Sequence, residues 1–291
     1  MSPATCHLSP VTSDDGVVVI RPPAVAGTFY DEDAGTLRRN VEELLPAGAE
    51  ASPAFGAIVP HAGYIYSGRI AGEVYARLPI PSRVILIGPN HTGRGAPASL
   101  DSSEAWRTPL GDVAVDRKLA RRLGELAPSL EDDTDAHARE HSLEVQLPFL
   151  QVLRPDVAIV AVCLGVADLE LCREVGEALA RLRAEEAQTG EPPLLLASSD
   201  MNHYESRAVS TPKNALALAR IDTLDPEGLF ATVRAHSISM CGFLPATALL
   251  FAARAAGAPR PEVVAQGDSG DVTGNSSSVV GYAGVVIREP S

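Results

Sequence analysis

Three apolar stretches of the chain break on residues that can ligate a metal or move a proton. Ala-Ile-Val-Pro leads into His61-Ala-Gly-Tyr-Ile-Tyr-Ser-Gly, Val-Ile-Leu-Ile-Gly-Pro-Asn leads into His91, and Leu-Leu-Leu-Ala-Ser-Ser leads into Asp200-Met-Asn-His203. A fourth candidate, Cys241, stands in Ser-Met-Cys-Gly-Phe-Leu-Pro, ahead of an alanine-rich apolar run. Imidazole and thiolate are donors for transition metals, and imidazole also titrates near neutrality, so His203 reads as an acid–base group whose tautomer Asp200 could fix. Each residue alone has an ordinary structural reading. A His after a strand is more often a hydrogen-bonded loop residue, a Cys before a buried helix is a small hydrophobe, and Ser-Ser-Asp can cap a helix. Their common placement points to chemistry, because open α/β sheets bind ligands outside the carboxyl ends of their strands and three such junctions can meet in one crevice.

The elements that must do this positioning are legible as pattern. Short β-branched runs at Ala57–Val59, Val84–Ile87, Val157–Val162 and Leu194–Ala197 alternate with segments whose apolar residues recur every three or four positions, at Gly35–Leu45, Ser67–Leu78, Asp116–Leu126 and Asp168–Ala184. That alternation predicts an α/β fold with a mostly parallel central sheet flanked by helices. Trp106–Val115 carries Leu-Gly-Asp between two extended runs and reads as a hairpin. More helices are expected after Pro212, ending in the buried stretch Pro245–Ala256, and then closing strands at Glu262–Gln266 and Val279–Ile287 joined by the loop Gly267–Ser278. There is no internal repeat and no compositional break, so residues 21–291 are expected to form a single domain after a mobile N-terminal tail, residues 1–20.

Composition excludes several classes of partner. A formal net charge of -13 argues against nucleic acid, whose binding draws on clustered Lys and Arg, and against an anionic membrane surface. No run is long and apolar enough for a membrane span and the first residues lack the character of a signal peptide, so the expected location is cytoplasmic. The four cysteines, Cys6, Cys163, Cys172 and Cys241, show no CxxC pair and no disulfide spacing. Cys6, Cys163 and Cys172 are expected to be inert. His137 and His141 would share a helix face, but Asp132, Asp133 and Asp135 around them read as a solvated loop with no third ligand nearby, so they are not assigned as a zinc pair.

Taken together, the strings Pro-His61-Ala-Gly-Tyr-Ile-Tyr-Ser-Gly, Gly-Pro-Asn-His91, Trp106-Arg-Thr-Pro-Leu-Gly, Glu140-His141-Ser-Leu-Glu144, Ser-Ser-Asp200-Met-Asn-His203, Cys241-Gly and Ser269-Gly-Asp-Val-Thr-Gly resemble the Memo family, in order from about Arg21 to Ile287. Bacterial and archaeal members of that family are called AmmeMemoRadiSam system protein B. The resemblance implies a fold similar to the catalytic subunits of class III extradiol dioxygenases, which hold iron(II) with two His and one Glu. It implies that His61 and His91 keep the imidazole positions, that Cys241 replaces the carboxylate, and that His203 matches a catalytic His with Asp200 beside it. Glu140, His141, Glu144 and Tyr64 are then expected behind the ligands or in the pocket wall. The ion would be iron(II), with copper or zinc admitted by the soft thiolate. Three functions stay open on this reading: an oxidoreductase acting on a small molecule such as a phenol; a non-enzymatic redox-metal binder; and a peptide- or protein-interaction module that uses the ancestral pocket. The family name implies functional association with radical-SAM and AMMECR-type proteins.

Overall fold

The computed structural model describes residues 19–290, together with a short antiparallel pairing of Thr12–Ser13 with Gly16–Val17. Most of the segment read as a tail, Cys6 included, lies outside the described residues. Four parallel strands make the centre: β1 (Ala54–Val59), β2 (Arg83–Pro89), β3 (Ala158–Leu164) and β4 (Leu194–Ser198), arranged side by side as β1-β4-β2-β3. β5 (Val279–Arg288) closes one side antiparallel to β1 and carries Glu262–Asp268 and His203–Glu205 as further antiparallel partners. Beyond β3 lies the hairpin expected at 106–115, observed as Ala105–Thr108 paired with Gly111–Val115, followed by Ile20–Arg21.

The central strands read as continuous apolar runs because both faces of the sheet are covered. Alternate residues enter two cores. Ile58, Ile85, Ile87, Val160, Val162 and Leu195 face one, while Val59, Val84, Leu86, Ile159, Ala161 and Leu196 face the other. On the second face lie α1 (Ala34–Leu44), α2 (Tyr64–Tyr75) and, after α3 (Arg117–Leu126) on the first face, α4 (Leu147–Leu153). The first face also takes α5 (Leu169–Ala187), α6 (Arg207–Asp222), α7 (Pro226–Ala235) and α8 (Phe243–Ala255). Asp33, Asp116, Asp168 and Asp225 cap α1, α3, α5 and α7 by accepting backbone N–H groups of the first turn, which sets where those helices begin. Helix α8 is apolar nearly all round because it is wedged between the sheet and α5. A Cβ on Gly176 of α5 would lie 2.5 Å from Ala248 O, so only glycine permits that approach.

Three expectations shift. Helix α2 starts at Tyr64 rather than Ser67. Helix α6 begins five residues before Pro212, whose missing N–H costs only one bond, to the carbonyl of the exposed Ala208. The loop after Glu262–Asp268 contains a helical turn, Gly270–Thr273, ended by Gly274 at φ 71°. Among the described residues no helix is long and apolar enough to cross a membrane.

Candidate metal centre

Because β1, β4 and β2 are adjacent and parallel, their carboxyl ends deliver His61, Asp200 and His91 to one edge of the sheet. Cys241 arrives from the turn ahead of α8. Gly242 makes that approach possible: a Cβ there would meet Ser198 O at 2.2 Å and Ser199 Cβ at 2.5 Å. The donor atoms of His61, His91 and Cys241 all lie within 4.8 Å of one another, and His61 Nε2 stands 3.2 Å from Cys241 Sγ. Donors bonded to one ion at about 2.0–2.3 Å are roughly 3.5 Å apart, so the three are spaced to share an ion after small adjustments.

The surroundings of each donor bear on whether a cation fits. His91 Nδ1 is 2.9 Å from Glu140 Oε1, and the same carboxylate accepts the His91 backbone N–H at 2.6 Å and that of Ser142 at 2.9 Å. A carboxylate only accepts, so Nδ1 donates to it and Nε2 is the nitrogen left for a metal, the arrangement common behind metal-bound histidines. Burial opposes the charge on Glu140, but the His91 hydrogen bond and charge and the Ser142 N–H overcome it and hold the carboxyl at about 2. His61 is buried, and burial first, then the neighbouring imidazoles, push it well below the ordinary His range, so it is neutral and able to ligate. Cys241 Sγ accepts the Asp200 N–H at 3.2 Å. Burial, reinforced by Asp200, pushes this thiol well up, so an arriving cation must displace its proton. Two imidazoles and one thiol fit a divalent cation with open positions.

His203 and Asp200 sit in the same group, with donor atoms of Asp200, His203 and Cys241 again within 4.8 Å of one another. The expectation that Asp200 fixes the His203 tautomer does not hold. The Asp200 side chain turns to its own sheet edge, where Oδ1 accepts the His61 N–H at 2.8 Å. Burial raises its carboxyl to about 7 against the backbone N–H groups of His61 and Ala62. His203 is oriented instead by Ser239, whose carbonyl lies 2.8 Å from Nδ1 and whose hydroxyl accepts the His203 N–H at 2.7 Å. A carbonyl only accepts, so Nδ1 carries the proton and Nε2 is free to take another. Burial lowers this imidazole too, which keeps it neutral near pH 7. Tyr204 beside it has φ 59° and a largely exposed side chain, a conformation uncommon outside glycine.

These groups open on a cavity of about 770 Å³. His141 forms part of its wall, stacked on His91 with centroids 4.6 Å apart, and Glu140 lies behind His91, both as expected. Tyr64 is not in the wall. With α2 starting at residue 64 its ring points into the core between Tyr30 and Phe149, and its hydroxyl donates to Val145 O. Tyr66, two positions on and therefore on another face, lines the cavity instead. Glu144 also faces away, to Arg21, Tyr30 and the backbone N–H groups of Ala24 and Val25. Phe29, Tyr204 and Tyr282 complete an aromatic rim that the sequence reading missed; Tyr66 was visible in the His61 string, whereas the others carry no local signal. His137 is buried against Ser99 and Cys163, outside the donor groups. Cys163 and Cys172 are buried thiols, raised by burial, and neither lines the cavity.

Comparison with known proteins fits this picture. The family model described as Memo-like protein matches residues 21–286. A MEMO1 family protein of Aeropyrum pernix is 43% identical over 281 residues, covering 91% of this chain and 99% of its own. One from Methanopyrus kandleri is 41% identical over 284 residues, covering 92% and 99%. Among solved structures, an uncharacterized protein of Escherichia coli K12 matches with a TM-score of 0.56 at 19% identity, over 80% of this chain and 98% of its own, which is a likeness of fold.

Proposed function

The chain belongs to the Memo family, and from that premise we propose that it binds one redox-active metal ion, iron(II) before copper or zinc, through His61, His91 and Cys241, and that it acts as an oxidoreductase on a small molecule held in the adjoining cavity. The observation that carries this reading is the meeting of two imidazoles and a thiol at one point with their donor atoms facing each other. A bound ion would supply Lewis acidity and an electron path. The chain's own residues do the rest. Glu140 keeps His91 oriented, Asp200 holds the backbone at His61, and the aromatic rim binds and shields the organic part of a substrate. His203, neutral and with Nε2 free, takes a proton from a substrate hydroxyl. The retained His203 is what favours catalysis over simple metal storage, since storage needs ligands and no base. The resemblance to class III extradiol dioxygenases supports oxygen-dependent chemistry, while Cys241 in place of their carboxylate leaves ring cleavage less favoured than other oxidations.

The test is anaerobic metal titration of the wild type, Cys241→Glu and Cys241→Ser. Iron(II) retention should rank wild type and Glu above Ser, because a neutral hydroxyl supplies neither negative charge nor a soft donor. Copper retention should fall in both variants. Equal affinities across the series would remove Cys241 from the ligand set and with it this reading.

A further inference from the structure

Behind His61 lies a buried hydroxyl with three hydrogen-bond partners. Ser198 Oγ is 2.7 Å from Ser142 O, 2.9 Å from Gln146 Nε2 and 2.9 Å from His61 Nδ1. All four residues are buried. The first partner can only accept. The second can only donate, provided the Gln146 amide is oriented as found, and that orientation is set independently: Nε2 also lies 3.1 Å from Pro60 O, a carbonyl, while Oε1 receives the Tyr75 hydroxyl at 2.8 Å. The single hydroxyl proton is therefore directed to Ser142 O. Only the His61 ring is left to supply a donor to the remaining lone pair of Oγ.

We infer that Ser198 is a positioning residue that fixes His61 as its Nδ1–H tautomer, so that Nε2 faces Cys241 Sγ with a free electron pair before any metal arrives. The inference rests on the metal-binding reading for its purpose but not for its geometry. With the opposite tautomer Ser198 would have to donate to the ring, and Ser142 O would be left buried without a partner. In the metal-free protein the free Nε2 can instead accept the Cys241 thiol proton across the 3.2 Å between them. That contact lasts until a cation displaces the proton, while Ser198 alone sets the ring.

Ring nitrogens of 15N-histidine protein, read by long-range 1H–15N correlation in the metal-free state at pH 7, test this directly, with the His61 signals identified by their loss in His61→Gln. The wild type should show a protonated Nδ1 and a bare Nε2. Ser198→Ala removes the acceptor, and the proton should move to Nε2. Gln146→Leu removes a bond from the same oxygen but leaves Ser142 O demanding the hydroxyl proton, so the wild-type tautomer should persist. A purely structural role for this network predicts that both variants behave alike. Zinc(II) competition titration gives the second readout: Ser198→Ala should bind about 10–100-fold more weakly, the range for losing a group behind a metal-bound His, and Gln146→Leu within a few-fold of wild type. A wild-type ring already protonated at Nε2, an unchanged ring in Ser198→Ala, or a flipped ring in Gln146→Leu would each overturn the inference. Wild-type protein with the stated tautomer but no affinity for zinc or iron(II) would overturn the metal reading alone and leave the tautomer assignment standing.

Discussion

Replacing Glu140 with Gln tests the centre at its most constrained point. The side chain is fully buried, and three hydrogen-bond donors are aimed at its oxygens: the His91 backbone N–H on Oε2, and the His91 ring and the Ser142 N–H on Oε1. A carboxylate satisfies all three, but a carboxamide offers one oxygen and one NH2. If the amide oxygen keeps the Oε1 position, the NH2 confronts the His91 N–H. If the groups are reversed, the NH2 confronts the ring and the Ser142 N–H, and His91 must move its proton onto the nitrogen needed for the metal. Either arrangement leaves a buried donor unsatisfied, at about 1–3 kcal/mol, and removes a charge-assisted bond. Expressed in affinity, that range is roughly 5–150-fold, which spans the 10–100-fold commonly lost when the group behind a metal-bound His is removed. Zinc(II) and iron(II) titrations against a competing chelator should therefore show a drop of one to two orders of magnitude. Thermal unfolding of the metal-free variant should show a lower midpoint. Affinity within twofold of wild type together with an unchanged midpoint would falsify the role assigned to this carboxylate.

Further outcomes are expected elsewhere. His203→Ala should retain metal while suppressing any turnover found in an anaerobic-to-aerobic screen of catechols and thiols; a metal-free variant would move His203 into the ligand set. Arg21 is buried on the Trp106 ring, 4.0 Å from its centroid, and pairs with the buried Glu144 at 2.6 Å. Arg21→Met should therefore cost about 3–5 kcal/mol, by chemical denaturation, because Tyr30 and the Ala24 and Val25 N–H groups still hold the buried Glu144 carboxylate but do not neutralise it. A variant as stable as the wild type would contradict that account. Glu227 is held at about 2, chiefly by its Arg254 hydrogen bond and with Arg173 beside it, so its folded value lies below the unfolded one near 4.5. Its contribution is present above about pH 4.5 and fades as the pH falls through 2. Because the pair is over a third exposed, that contribution is under about 1 kcal/mol, and Glu227→Gln should flatten the acid limb of the stability curve by no more than this.

The strands and the two His at their ends were legible because a parallel strand covered on both faces must be a short apolar run, and the break in that run marks the edge where ligands gather. Partnerships within the site were not legible. Asp200 and His203 are three residues apart and invite pairing, yet the chain turns between them, so that Asp200 serves β1 while His203 is seated on Ser239. The Tyr64 misplacement follows from a helix boundary: three residues' difference in the start of α2 rotates the first turn enough to exchange an inward ring for a rim ring. Boundaries of this kind depend on capping, and Gly63 offers no side-chain cap to mark it.

The segment from Glu140 to Gln146 was legible only through its resemblance to a family motif, and it explains most about the site. It lies in no long helix or strand, so it has no period, and its long-range partners are 49 to 123 residues away in sequence. Yet Glu140 orients His91, while Ser142 directs the hydroxyl that orients His61. Arg21 in turn holds the segment by donating to the carbonyls of His137 and Glu140. Both imidazoles thus depend on one buried stretch, whereas Cys241 depends on a different one, through the Asp200 N–H and the close seat that Gly242 allows beside β4. Damage to the first stretch should loosen both nitrogen donors at once. Changes at Cys241 should alter the metal preference while leaving the imidazoles where they are, and that separation is what makes the Cys241 series a clean measure of the thiolate.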